Sequence, residues 1–276
     1  MTINCLGTLV DLSSPKVMGI LNVTPNSFFD GGKYADEKSM LLQVEKMLNE
    51  GATFIDIGAY SSKPSAEFVT EAEEIERLIP MVKSVLQHFP NTLISADTFR
   101  ANVAKAAVEN GACMVNDIAA GNLDDNMMPT VAELQVPYVM MHMKGNPQTM
   151  QSLVQYENIT REMLSYFSEK VAQARSLGIN DLIVDPGFGF AKTLEQNFEV
   201  MNNLELFQAL DLPILVGISR KSMIYKTLDT SAEFALNGTT VLNAIALQKG
   251  ANILRVHDVM EAVECVKLYN NLSPQN

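Results

Sequence analysis

The 276-residue chain has no tryptophan, three cysteines and three histidines. Cys5, Cys113 and Cys265 are odd in number and far apart, with no C-x-x-C pair, which speaks against a disulfide framework and a zinc ribbon. They read as buried free thiols. His88, His142 and His257 form neither H-x-H nor H-E-x-x-H, so a zinc hydrolase has no support. Positive charge is scarce: 20 Lys and Arg stand against 32 Asp and Glu, a net −12. That sign opposes a phosphate-backbone interface, so nucleic acid is not an expected partner, and anionic membrane surfaces repel the chain as well. No apolar run approaches the roughly 18–20 residues that span a bilayer. Met1 to Val10 carries no Lys or Arg ahead of its short apolar stretch and no cleavage pattern, so it does not read as a signal peptide and a cytoplasmic location is expected. Low-complexity tracts and Pro/Ser linkers are also missing.

What is present is a 47% apolar, 19% charged composition with 15 Gly and 11 Pro, the balance of a globular chain with a sizeable core. Eight short β-branched or apolar runs stand between turn residues: Val17–Asn22, Thr53–Gly58, Thr92–Ala96, Cys113–Ile118, Pro137–His142, Leu182–Asp185, Pro213–Ile218 and Asn252–Val256. They are nearly continuous in apolar residues, the pattern of parallel strands covered on both faces. Helical stretches alternate with them: Glu37–Glu50, Thr70–Gln87, Arg100–Asn110, Asp124–Leu134, Glu157–Leu177, Leu194–Leu210, Ala232–Lys249 and Val259–Tyr269. Gly51, Gly111, Gly178 and Gly250 follow helix ends, where a left-handed cap is wanted. Thr70 and Asp124 sit where side-chain oxygens cap helix starts. Eight strand-then-helix units predict an α/β fold, a (β/α)8 TIM barrel over about residues 15–270 in one domain, with a short N-terminal extension or hairpin.

Polar residues recur at or just past the predicted C-terminal strand ends: Asn22, Asp56, Asp97, Asn116 with Asp117, His142, Asp185, Ser219 with Arg220 and Lys221, and Arg255 with His257. In a barrel that rim is where active sites are built. Core packing accounts for apolar residues there and not for a polar ring. Met127, Met128, Met140, Met141 and Met143 read as packing or pocket wall, and Gly187-Phe-Gly189 lacks the third glycine of a dinucleotide fingerprint.

Eight segments carry a resemblance. Met18-Gly-Ile-Leu-Asn-Val-Thr-Pro-Asn-Ser-Phe-Phe-Asp-Gly-Gly32, Asp56-Ile-Gly-Ala-Tyr-Ser-Ser-Lys-Pro-Ser65, Ser95-Ala-Asp-Thr98, Val115-Asn-Asp-Ile118, Met141-His-Met143, Asp185-Pro-Gly-Phe-Gly-Phe190, Gly217-Ile-Ser-Arg-Lys-Ser222 and Leu254-Arg-Val-His-Asp258 come in family order on successive strand ends. The chain thereby resembles the dihydropteroate synthases, pterin-binding barrels. The resemblance implies condensation of 6-hydroxymethyl-7,8-dihydropterin diphosphate with p-aminobenzoate, release of pyrophosphate, folate synthesis and sulfonamide targeting. It also implies a homodimer and Mg2+ held partly by Asn22.

Residue by residue, the resemblance implies that Asp97, Asn116 and Asp185 meet the pterin edge with Lys221, while Met140 and Phe190 pack against the ring. Ser62 and Ser222 would touch the arylamine and phosphate region, and Arg255 with His257 the diphosphate. Lys221, Arg255 and His257 are the expected catalytic groups. The chemistry agrees: a flat donor-rich ring needs acceptors, and a departing diphosphate needs cations. Arg255 and His257 alternate along one strand and so share a face. A weakly basic arylamine needs no strong base or covalent nucleophile, and none is apparent in the sequence.

The chain departs from the family pattern at Asn26 and Phe29 in the first loop and at Ser62, Lys63 and Ser65 in the second. Lys63 lacks the planar fork of Arg, and Ser65 reaches positive φ less easily than Gly. Altered substrate or sulfonamide affinity is expected, not lost function. Two other readings compete: a methyltetrahydrofolate-type methyltransferase barrel, disfavoured by the first loop and the Arg255/His257 pair, and a non-catalytic pterin-binding paralogue.

Overall fold

Strands read as doubly covered must find helices on one side and one another on the other, and a closed ring of parallel strands satisfies both demands. A computed structural model describes residues 1–23, 33–60 and 69–272. An antiparallel hairpin of β1 (Thr2–Cys5) and β2 (Thr8–Asp11) precedes eight parallel strands: β3 (Lys16–Asn22), β4 (Phe54–Gly58), β5 (Leu93–Asp97), β6 (Met114–Asp117), β7 (Tyr138–Met141), β8 (Leu182–Asp185), β9 (Leu215–Val216) and β10 (Ile253–Val256). Between and after them run α1 (Lys33–Asn49), α2 (Glu71–His88), α3 (Ala101–Glu109), α4 (Met127–Leu134), α5 (Ile159–Ser176), α6 (Leu194–Asn202), α7 (Ser222–Tyr225), α8 (Leu236–Gln248) and α9 (Val259–Leu272). The hydrogen-bonded order is β8-β7-β6-β5-β4-β3-β10-β9, and a parallel bridge from Val184 to Ile214 brings the two ends together. The eight strands form a nearly closed TIM barrel, as the alternation predicts.

The period of two along each strand separates two cores. Val17, Ile55, Ile94, Val115, Tyr138, Val184, Val216 and Leu254 face the helices and join the large outer cluster. Met18, Phe54, Met114, Val139, Ile183, Leu215 and Ile253 point into the barrel, where Ile3, Cys5, Val10 and Leu12 of the hairpin segment close its floor. Leu6 and Leu9, on the hairpin's other side, are exposed. All three cysteines are buried and free.

Several local expectations hold. The four helix-ending glycines all have positive φ, and Thr70 with Glu73 forms a full capping box on α2. Replacing Thr70 by Ala is expected to cost about 1 kcal/mol in denaturant unfolding, the ordinary worth of such a cap.

Others need correction. α4 begins at Met127, and Asp124 caps a different helix: its Oδ2 accepts from Ala101 N at 2.7 Å, serving α3, whose own N-cap residue makes no side-chain cap bond. The stretch expected as one helix over 194–210 turns 3-10 at Leu204–Leu210, and α8 starts at Leu236 after a separate 3-10 turn at Ala232–Phe234. The short α7, directly after Lys221, was not legible in the periodicity because one turn is too short to show any. Among the described residues no helix is long and apolar enough to cross a membrane.

Candidate active site

Two residues beyond the apolar floor, the same inward-facing positions turn polar. Phe54 is followed by Asp56, Met114 by Asn116, Ile183 by Asp185 and Ile253 by Arg255, with Asp97 one step further along its strand. Strand register brings these groups together: Arg255 Nε donates to Asp56 Oδ2 at 2.6 Å and Nη2 to Asp97 Oδ2 at 2.7 Å, while Asn116 Nδ2 reaches Asp56 Oδ2 at 3.1 Å. Asp56 is fully buried, and its Oδ1 has no partner among the described residues. Such an orphaned carboxylate oxygen is costly unless a ligand N–H reaches it.

Lys221 precedes α7 and donates to the Phe188 carbonyl, with its Nζ 4.9 Å from the centre of the Phe190 ring. Burial lowers Lys221 to about 8, against the pull of Asp185. Burial likewise raises Asp185, which Lys221 opposes, and Asp185 Oδ1 accepts from Gly187 N at 2.8 Å. Asp97 is pushed up to about 7 by burial, with Arg255 pulling it down and the Asp56 carboxylate pushing it further up. Its two carboxylate neighbours hold Arg255 protonated throughout. His257, exposed at the rim, is lowered by partial desolvation and by Arg255, and its Nδ1 lies 3.1 Å from Ser219 Oγ.

The structure thus draws Asp97, Asn116 and Arg255 into one bonded group, sets Asp185, Phe190 and Lys221 on neighbouring strand ends, and puts Ser222 at the first turn of α7. Asn22, exposed at the end of β3 in register with Gly58, occupies the same rim. Ser62, Asn26, Phe29, Lys63 and Ser65 lie outside the described residues.

Met140 is a correction. It is fully buried in the helix-facing core, whereas Met141, one residue on, packs in a rim cluster with Phe190, Ile118 and Met143. A shift of one residue in a strand changes the face, so Met141 replaces Met140 as the methionine on the pocket side. The inner-face alternation Val139-x-Met141 carried that signal.

Three further residues support the site: the sequence places Asp56 and Ser219 at the rim without assigning them a role, and gives no sign of Arg100. Asp56 anchors both Arg255 and Asn116. Ser219 orients the His257 ring. Arg100 donates to Glu74 and, at 2.7 Å, to the Val69 carbonyl, with its guanidinium 5.5 Å from the Tyr60 ring centre. It therefore ties Tyr60 and Val69, which flank the second loop, to one point.

Fold and site together define a barrel of the kind that builds its active site at the C-terminal rim, here from buried carboxylates, an amide and cations. The sequence model of the pterin binding enzyme family matches residues 18–257. The dihydropteroate synthase of Haemophilus influenzae is 42% identical over 262 residues, covering 94% of each chain. The Yersinia pestis dihydropteroate synthase, solved with a sulfonamide drug complex, superposes with a TM-score of 0.92 at 37% identity over 99% of both chains. The Xanthomonas albilineans enzyme in complex with 7,8-dihydropteroate does so at 0.88 and 33% identity, over 99% of this chain and 100% of that one. The chain belongs to the pterin-binding family and, within it, to the dihydropteroate synthases.

Proposed function

We infer that the chain condenses 6-hydroxymethyl-7,8-dihydropterin diphosphate with p-aminobenzoate, forming dihydropteroate and pyrophosphate for folate synthesis. The observation that carries this reading is the Asp56–Arg255–Asp97 group, with Asn116, Asp185 and Lys221 around it, at the barrel rim of a chain that aligns nearly end to end with dihydropteroate synthases.

Asp185, Asp97 and Asn116 supply acceptors and an amide to the pterin edge, and Lys221 donates to its carbonyl side. Phe190 and Met141 cover the ring. Arg255 has two of its nitrogens on carboxylates, and Nη1 is uncommitted among the described residues, so it can meet the diphosphate together with His257. Ser62 and Ser222 complete the arylamine and phosphate contacts in this reading. The methylene carbon–oxygen bond breaks as negative charge builds on the pyrophosphate, which the rim cations offset. The arylamine nitrogen then bonds to the methylene carbon and sheds a proton. The barrel's contribution is orientation and charge stabilisation.

Mg2+ belongs to the same proposal. Among the described residues no group of three His, Cys, Asp or Glu is set to hold a metal. The donor present is the Asn22 amide oxygen, a hard ligand that suits an ion bound mainly through substrate phosphates and water. Asn22 would hold it from the protein side, and the ion would supply charge neutralisation on the leaving diphosphate. A homodimer in the cytoplasm completes the reading.

The test is pyrophosphate release from the pterin diphosphate with and without p-aminobenzoate and Mg2+, with dihydropteroate detected in parallel. Equal amounts of both products, dependent on Mg2+, are expected. Pterin binding without turnover would instead favour the non-catalytic paralogue.

A further inference from the structure

The segment after β8 runs between two lysines, and only one of them has a place in the reading above. Gly187, Gly189 and Ala191 take φ of +68°, +83° and +47°, so successive carbonyls turn to different sides. The Phe188 carbonyl accepts from Lys221. The Gly187 and Phe190 carbonyls accept from Lys192 Nζ, each at 3.0 Å. The remaining ammonium proton faces His142, whose Nδ1 lies at 3.2 Å and whose carbonyl lies at 3.5 Å. Lys192 is 6% exposed, so protein atoms rather than water take its protons.

The count is complete. An ammonium has three donors, and two carbonyls and one imidazole nitrogen receive them. This requires a neutral His142 with its lone pair on Nδ1, and burial together with the Lys192 charge keeps that ring well below its ordinary range. Packing alone would be met by a methionine, without the desolvation cost of a buried cation. What the ammonium adds is convergent donors that join the end of β7 to the β8 loop. The fit is close, since a Cβ on Gly187 would stand 2.3 Å from the His142 carbonyl oxygen.

We propose that Lys192 is a positioning residue for the pterin substrate: by clamping Gly187 and Phe190 to His142 it fixes where the Phe190 ring and the Phe188 carbonyl stand, and hence where Lys221 meets the ring. The inference rests on the functional reading above, which gives Asp185, Phe190 and Lys221 to the pterin.

A pH signature follows. Burial lowers Lys192 to about 7, with Asp185 pulling it up and Lys221 and Lys144 pushing it further down. These groups and neutral His142 are its charged and titratable surroundings. The three-donor form is present below about 7 and is lost as pH rises, which leaves one acceptor short and loosens the loop. Pterin affinity therefore falls through about 7, and again through about 8 when Lys221 loses its proton. Asp97 acts in the opposite sense, because its ionised form is the acceptor, and it is common to wild type and variant.

Steady-state kinetics of the full chain and of Lys192→Met, with pterin diphosphate varied at saturating p-aminobenzoate across this range, test the proposal. The variant is expected to raise KM for the pterin substrate at least about tenfold while kcat changes less than about threefold. The two-proton alkaline fall of kcat/KM should become a one-proton fall near Lys221's value. Unchanged KM, or an unchanged two-proton fall, in an active variant overturns the inference alone. If Lys192→Met does not fold, the wild-type profile decides: a two-proton fall supports the clamp and a one-proton fall removes it. A wild-type chain that forms no dihydropteroate overturns the functional reading and this inference with it.

Discussion

Arg255→Ala is expected to abolish measurable condensation and to destabilise the protein by about 3–5 kcal/mol at pH 8, the range for stripping a buried pair of its partner. Arg255 is the cation between Asp56, which is fully buried, and Asp97, whose side chain is 20% exposed. Its removal leaves two carboxylates on the adjacent strands β4 and β5 without the cation they share, with only Asn116 bonded to one of them. The loss is pH-dependent, and the sign follows from proton counting. Asp97 already holds its proton more tightly when folded than when unfolded, about 7 against the ordinary 3.8. Without the Arg255 charge this difference widens. The folded variant then binds more protons than the unfolded chain, so its stability declines as pH rises. The deficit should be smaller near pH 5 than near pH 8. Denaturant unfolding at the two values checks this, and an Arg255→Ala chain as stable as wild type at pH 8 would overturn it. Adding Asp97→Asn to Arg255→Ala should restore part of the stability and none of the turnover. That separates the structural role of the ion pair from its role towards diphosphate.

The same residues show what a sequence can and cannot disclose about such a site. Strand β8, Leu182–Asp185, coincides with its predicted span, because apolar residues bounded by Asp181 and Pro186 define a covered strand in themselves. Asp97, Asn116, Asp185 and Arg255 were readable as rim groups because a charged or amide side chain at the end of an apolar run has no packing explanation. Met140 was misplaced because two adjacent methionines carry no label of face; the floor residue Val139 two positions before Met141 supplies it. Asp56 was visible at the rim, but its bonds to Arg255 and Asn116 cross 199 and 60 residues of chain, and only the closed barrel makes them neighbours. Lys192 left no signal, since two of its partners are backbone carbonyls, which every residue has, and the third, His142, lies 50 residues away in the chain. Asp124 capped the wrong helix for a similar reason: the propensity of Asp to cap is local, but the N–H it finds is tertiary.

Lys221→Met is expected to reduce kcat/KM for the pterin diphosphate at least about 100-fold, about 2.7 kcal/mol of lost transition-state binding. The substitution keeps a stem that can pack near Phe190 and removes the donor, so the loss reports recognition rather than shape. It leaves the Phe188 carbonyl without its lysine partner and Asp185 without the foremost of the three cations that offset its burial, Arg255 and Lys192 remaining. Asp185 should then take up a proton at a higher pH, and a protonated carboxyl cannot accept from the amino-pyrimidine edge at both oxygens. Two defects thus follow from one change, and both fall on the pterin, not on p-aminobenzoate. Calorimetry distinguishes this from the arginine variant: Lys221→Met should lose affinity for the free pterin and for its diphosphate alike, whereas a rim-cation defect should weaken the diphosphate far more than the free ring. The alkaline limb gives an independent check. Lys221 is charged below about 8 and loses its donor above it, so wild-type kcat/KM should fall through that value. In Lys221→Met this part of the fall should vanish, leaving the portion due to Lys192. A Lys221→Met enzyme that retains pterin affinity but loses that of the diphosphate would show that Lys221 serves the leaving group instead.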